Sequence, residues 1–372
     1  MRVALVHDWL TGFRGGEKCL HELACLYPQA DLYTLVHAPG SASPEIEALP
    51  IRQSPLGRLP GAARHYRLAL PLFPWAIRHF YLSGYDLVIS SSHAVAKGIR
   101  LEPRTPHLCY CHTPMRYVWD QADAYLGRGL RRALASPIIH ALQRFDVRTS
   151  GPDQVTRFVA NSRAVALRIQ RHYGREAAVV PPPVDVKSIQ PDGKAPDDFY
   201  LLVGGFVPYK REDIALAAFR GSGRRLVVVG DGPGRAALQA GAPAEAEFLG
   251  RVPDGELHAL YGRCRALIHP QEEDFGIAAV EAQAAGRPVI ALGRGGARDT
   301  VIPLAEGVGS PPPATGLWFA EQKPQALRDA IVQFEEQEAA FDASCIRQHA
   351  EAFSAERFRA SIQAQVQATL EG

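Results

Sequence analysis

The sequence has no apolar run of 18 or more residues, no Cys-x-x-Cys pair, no low-complexity tract and no Asp-x-Asp at the end of a strand pattern. The first absence excludes an ordinary membrane-spanning helix, which needs about 20 mostly apolar residues. The second leaves the cysteines at 19, 25, 109, 111, 264 and 345 scattered in apolar contexts, as reduced thiols of a cytoplasmic protein would be. Cys109-Tyr110-Cys111-His112 contains zinc-ligand types, but no second ligand pair stands at a suitable spacing, so no metal is expected there. With hydrophobic residues at 47% and charged residues at 22%, the chain is also neither disordered nor fibrous. No signal peptide precedes the strand pattern of MRVALVHDW, so the expectation is a cytoplasmic protein that can at most sit on a membrane surface.

What is present is enough apolar sequence for two cores. A chain of 372 residues suits two domains of roughly 150–200 residues each. Its net charge of +2 hides an asymmetry. Through Asp185 there are 22 Lys and Arg against 14 Asp and Glu, and afterwards 19 against 25. A basic half can dock on an anionic membrane or on a phosphate-bearing acceptor. No nucleic-acid partner is expected.

Short apolar runs alternate with helical patterns: VALVH (3–7), DLVISSS (86–92), HLCYCH (107–112), RFVANS (157–162) and AVVPPPV (178–184), then FYLLVGGF (199–206), RRLVVVGDG (224–232), EFLGRV (247–252), ALIHP (266–270) and PVIALG (288–293). Strand, turn, helix, strand is the signature of parallel α/β layers, here two doubly wound domains. The boundaries fall at 1–184 and 185–345, with a hinge in the Pro-rich segment 181–196. A terminal helix, 346–372, carries Phe353, Phe358 and Ile362 on a helical spacing and can pack on either domain.

Ligands of such sheets bind outside the carboxyl ends of the strands, so the motifs at those ends are the candidates. GFRGGEK puts Gly15 and Gly16 where a helix begins, allowing backbone and free N–H groups to approach a phosphate. GGFVPYKRED ends a strand with Lys210 and Arg211, two cations suited to a diphosphate leaving group. In HPQEEDFGIAAVE the residues Phe275, Gly276 and Ile277 open a helix behind Glu273, and Glu281 lies inside it. Paired carboxylates of this kind accept hydrogen bonds from sugar hydroxyls. His112 ends a strand and is followed by Arg116 and Tyr117, candidates for the sugar or the acceptor. GDGPG (230–234) lacks the third glycine of a dinucleotide fingerprint, because Arg235 stands there, so a dehydrogenase is disfavoured. RHYRLALPLFPWAIRHFYL (64–82) mixes arginines with large apolar residues as an interfacial surface does, or forms a core helix broken by prolines.

The glycines 15–16, the lysine of VPYKR, GDGP (230–233), FLGRV (248–252) and EDFGIAAVEAQAAGRPVIA (273–291) occur in the order found in retaining glycosyltransferases of family 4, and the chain resembles that family over nearly its whole length. HDWLTGFRGGEK, SSSHAVAKG, CYCHTPMRY and FVANSR resemble bacterial GDP-mannose-dependent mannosyltransferases of O-antigen and exopolysaccharide assembly. The resemblance implies a GT-B fold, two Rossmann-like domains facing each other across a cleft, and retention at the anomeric carbon. It implies a catalytic set of His112, Lys210 and Glu273. Donor contacts would come from Gly15, Gly16, Lys210, Arg211, Gly230, Arg251, Val252, Glu273, Phe275, Gly276, Ile277 and Glu281, and acceptor contacts from Arg116 and Tyr117. A nucleotide sugar would be the donor and a lipid-linked or oligosaccharide chain the acceptor, with no cofactor and no metal. Two positions depart from the pattern: the usual clamp arginine is Gly205, for which Arg211 is the substitute at hand, and the usual Pro-Ser is Pro270-Gln271. A UDP- or ADP-sugar donor, a GT-B sugar-nucleotide epimerase and a non-catalytic nucleotide-sugar binder remain open alternatives.

Overall fold

The computed structural model describes residues 1–120, 130–191, 193–304 and 313–371. They form two units: 1–183 with 355–372, and 184–354. The first unit holds nine strands, β1 (Val3–His7), β2 (Asp31–Thr34), β3 (Ile51–Gln53), β4 (Tyr81–Leu82), β5 (Leu87–Ser92), β6 (Arg100–Leu101), β7 (His107–Cys111), β8 (Arg157–Ala160) and β9 (Ala177–Val179). Seven of them make one parallel sheet in the order β3-β2-β1-β5-β7-β8-β9, and β4 pairs with β6 apart from it. β1, β5 and β7 are buried at every residue, which is why they read as unbroken apolar runs rather than alternating ones. The order reverses between β1 and β5, so connections leave these neighbours in opposite directions and open a crevice at their carboxyl ends.

The second unit repeats the plan with β10 (Tyr200–Gly204), β11 (Leu226–Gly230), β12 (Ala246–Gly250), β13 (Leu267–His269), β14 (Val289–Leu292) and β15 (Gly316–Phe319). All pairs are parallel in the order β12-β11-β10-β13-β14-β15, and the reversal lies between β10 and β13.

Two connecting segments differ from the sequence reading. The Pro-rich stretch is anchored, because Val184, Val186 and Ile189 are buried in the core of the second unit. The terminal segment is two helices rather than one. Ala343–Glu351 packs on Ile277–Ala284 of the second unit, where Phe353 is also buried. Ala355–Leu370 instead inserts Phe358, Ile362 and Val366 beside Leu5, Leu20 and Tyr110 of the first unit.

Candidate functional site

At the β10–β13 reversal the backbone is packed too closely for side chains. Gly230, opposite Gly204 in register, has φ +132°, and a Cβ there would lie 1.9 Å from the Gly204 carbonyl oxygen. The glycines of GDGPG are thus explained by contact between neighbouring strand ends. Gly234 N–H donates to the Phe206 carbonyl at 2.9 Å, and the buried Glu212 accepts from Phe206 N–H at 3.1 Å, holding the GGF loop in place.

This loop delivers Lys210 from the turn Pro208–Lys210 onto Glu273, with which it forms an ion pair. The other Glu273 oxygen faces His269 Nε2 at 3.7 Å. The Gln271 amide nitrogen lies 3.1 Å from His269 Nδ1; an amide N–H donates, so the ring proton sits on Nε2, toward the carboxylate. Burial alone would raise the Glu273 pKa, but Lys210 and His269 hold it below the usual carboxylate range. For Lys210 burial acts downward and Glu273 outweighs it, leaving the ammonium pKa above its ordinary value. Burial pushes His269 down to about 4, so its ring is neutral.

Gly276, at φ +94°, turns the chain into the helix Ile277–Ala284. A Cβ here would come within 3.2 Å of His269 Nε2, so glycine keeps the space beside Glu273 clear. The Phe275 side chain points into the core against Phe353, leaving only its backbone for ligand contact, and Ile277 packs at the core edge. Glu281 accepts a hydrogen bond from the Tyr261 hydroxyl at 2.9 Å. Arg211, left-handed at φ +55°, forks its guanidinium onto Asp213 at 2.9 and 3.1 Å instead of toward Glu273. Arg251 and Val252 follow β12, the outermost strand on that side; Arg251 is exposed and Val252 packs on the core.

The matching crevice of the first unit, at the ends of β1 and β5, contains acids and histidines that the sequence reading quoted inside motifs without assigning. Asp8 is fully buried and accepts four backbone N–H bonds, from His93 (2.7 Å), Ala94 (2.9 Å), Val95 (2.7 Å) and Ala96 (2.8 Å). Burial would raise its pKa, but His93, 3.2 Å away, and these amides hold it below the ordinary value. His112 is pushed down to about 3, by burial first and by its imidazole neighbours second. Gly16 lies against this group: a Cβ on it would stand 3.7 Å from both His112 Nε2 and His7 Cε1. Gly15 opens the helix Gly15–Leu26. Arg116 and Tyr117 follow β7 and are half-buried; the Tyr117 hydroxyl donates to the His93 carbonyl at 3.3 Å, tying this loop to the crevice. The signal missed in the sequence was an acid or histidine directly after a buried strand: Asp8 after VALVH, His93 after LVISSS, and His269 ending ALIH.

Among the described residues no cluster of His, Cys, Asp and Glu could hold a metal ion, and no helix is long and apolar enough to cross a membrane. Residues 13–188 match the family described as Glycosyltransferase Family 4, and residues 187–352 match Glycosyl transferases group 1. A D-inositol 3-phosphate glycosyltransferase of Segniliparus rotundus is 32% identical over 193 residues, 44% of this chain and 43% of that protein. A GDP-mannose-dependent alpha-mannosyltransferase of Mycolicibacterium smegmatis is 40% identical over 120 residues, 32% of this chain and 31% of that one. The chain thus spans less than half the length of these two curated relatives. The crystal structure of Anabaena HepE in complex with UDP-glucose superimposes with a TM-score of 0.68 at 19% identity, covering 99% of this chain and 100% of that one.

Proposed function

Since this chain belongs to the family 4 glycosyltransferases and has the GT-B fold, we propose that it transfers a hexose, mannose from GDP-mannose, to a lipid-linked or oligosaccharide acceptor in bacterial surface polysaccharide assembly, with retention at the anomeric carbon. The observation that carries the reading is the Lys210–Glu273 pair at the β10–β13 reversal, beside the N-terminus of Ile277–Ala284 and with Glu281 farther along that helix. Without ligand the two charges neutralise each other. A bound diphosphate takes the ammonium, and Glu273 is released to accept from hexose hydroxyls while Glu281 accepts from the ribose.

In the reaction the bond from the anomeric carbon to the diphosphate oxygen breaks and its electron pair leaves with the diphosphate. The acceptor oxygen bonds to the same face, and its proton passes to the departing phosphate. Lys210 and the free N–H groups of the helix start stabilise the developing charge. A single well-placed donor of this kind is worth about 2.7–4 kcal/mol. This charge neutralisation needs no metal, so activity is expected to survive EDTA.

GDP as the carrier is supported by the mannosyltransferase relative, whereas the solved neighbour carries UDP-glucose. Thermal-shift measurements with GDP-mannose, UDP-glucose, UDP-GlcNAc and ADP-glucose test both layers of the reading. Stabilisation by GDP-mannose, absent in Glu281→Ala, is expected; stabilisation by none of the four rejects a donor site at these residues.

Attachment to the inner face of the cytoplasmic membrane belongs to the same reading. Its support is residues 48–85, which contain no acid and carry Arg52, Arg58, Arg64, Arg67 and Arg78. Leu59, Leu68, Leu72 and Trp75 are each more than half exposed there, Leu68 at 82%. Residues 62–78 form three consecutive short helices, Ala62–His65, Tyr66–Leu72 with Pro71 inside it, and Phe73–Arg78 with Pro74 at its start, before β4.

A further inference from the structure

In the first unit, side chains from the ends of β1, β5 and β7 form a line of contacts that runs from His112 inward to an acid. His112 Nε2 lies 2.8 Å from Ser91 Oγ, and the same oxygen lies 3.1 Å from His7 Nδ1. The far nitrogen, His7 Nε2, is buried, has no hydrogen-bond partner at ordinary distance and faces Glu17 Oε1 at 3.9 Å. His7 and Ser91 are fully buried and Glu17 nearly so, which keeps water from rearranging the line.

A hydroxyl has one proton and two lone pairs, so with both rings neutral Ser91 can accept from both imidazoles, which turns a His7 Nε2 lone pair toward Glu17, or donate to one and accept from the other, which can be done in two ways. In the first of those two ways, His7 carries its proton on Nε2, toward Glu17. Ser91 donates to His7 Nδ1 and accepts from His112 Nε2–H, which leaves His112 Nδ1 as a bare acceptor. In the second, every proton is reversed: His7 Nε2 turns a lone pair toward the Glu17 carboxylate, and His112 Nδ1 carries a proton. Burial would keep Glu17 neutral, but a long hydrogen bond from the His7 ring and the amides at the helix start hold its pKa down to about 2, so the acid is charged. A lone pair facing that charge in a dry site is unfavourable, so the arrangement with the proton on His7 Nε2 wins. The other acid nearby does not compete: Asp8 is taken up by four amides and by His93, whose ring stands 6.1 Å from His7 and 6.2 Å from His112.

We propose that Glu17, acting through His7 and Ser91, fixes the tautomer of His112 so that its Nδ1 is a hydrogen-bond acceptor for a ligand hydroxyl. Glu17, His7 and Ser91 are then positioning residues, and His112 is suited to a sugar hydroxyl rather than to a phosphate oxygen, which needs a donor. The consequence for ligand binding rests on the family 4 reading of His112; the tautomer itself does not.

The experiment is histidine-selective 15N NMR of the unliganded full chain near pH 7.5, for the wild type, Glu17→Gln and Ser91→Ala. Glu17→Gln keeps an oxygen for the Arg14 N–H cap at 3.0 Å and removes only the charge, so a folded variant is expected. The expected result is a single Nε2–H tautomer for His112 in the wild type and a mixture of tautomers in both variants. Each variant should also raise the KM for the sugar nucleotide by roughly three- to tenfold, the value of one hydrogen bond to a correctly set acceptor. A protonated His112 Nδ1 in the wild type overturns the proposal, as does an unchanged His112 tautomer in both variants. If the tautomer behaves as expected but no sugar nucleotide binds, the relay stands and the functional reading fails.

Discussion

At the scale of single residues, the Lys210–Glu273 ion pair is a place where stability and the proposed donor binding meet. Lys210→Met leaves a largely buried carboxylate facing a neutral imidazole, and a loss of roughly 1–3 kcal/mol is expected, reduced from a fully buried pair because both side chains are about a fifth exposed. Lys210→Met/Glu273→Gln should recover most of that stability and none of the donor affinity. Urea denaturation of the two variants, beside nucleotide-sugar titration, separates the structural cost from the functional one. The pH dependence follows from buried neutral histidines. His107 and His269 are both held down to about 4 by burial. An unfolded histidine binds its proton near 6.5, so between about pH 6.5 and 4 the unfolded chain holds more protons than the folded one. Stability is therefore full above pH 6.5 and falls on acidification, by about 1.4 kcal/mol per pH unit for each such residue. Melting temperatures recorded from pH 7.5 to 5 should decline steadily, and a flat profile would mean that these rings are protonated in the native state.

At the scale of elements, the strands that sequence reading recovered are those written as apolar runs, such as VALVH, LVISSS, HLCYC, YLLVG and LVVVG; continuous burial is not required, since β12 was recovered with only Gly250 buried. β2, β3, β4, β6 and β15 were missed, being two to four residues long and, in DLYT, IRQ and RL, partly polar. They lie toward sheet edges, where less burial is demanded of the sequence. The candidate site was legible in its cations and in the acids of HPQEEDFGIAAVE, because their strand-to-helix position follows from chain order. It was illegible in Asp8 and His269, whose roles depend on neighbours supplied from β5 and from the Gly276 turn. Asp8 ties the end of β1 to the turn after β5, and Asp8→Asn puts an amide NH₂ where two backbone donors already point. A loss of about 2–4 kcal/mol is expected, read as a shifted urea midpoint. An unshifted midpoint would show that the turn 93–96 holds itself.

On the scale of the whole molecule, charge is divided by unit. The first unit has 24 Lys and Arg against 15 Asp and Glu, and the second has 17 against 24. Binding to vesicles of anionic phospholipid should therefore weaken steeply between 50 and roughly 300 mM salt, as the Debye length shrinks toward the size of a headgroup. Arg64→Glu/Arg67→Glu/Arg78→Glu should abolish it, while binding to zwitterionic vesicles stays negligible. Vesicle sedimentation that is insensitive to these substitutions sinks the membrane reading.

The helix Ala355–Leu370 gives the chain an order of assembly. Phe358, Ile362 and Val366 fill the core against Leu5, Leu20 and Tyr110, so a unit whose first strand begins at Val3 is completed by a helix that follows the whole of residues 184–354 in the chain. While residues 184–354 are being translated, at about 5–20 residues per second, the groove for those side chains stays unfilled. Over that interval, roughly ten to thirty seconds, the amino-terminal unit lacks three of its core side chains and leaves the apolar surface around Leu5, Leu20 and Tyr110 uncovered.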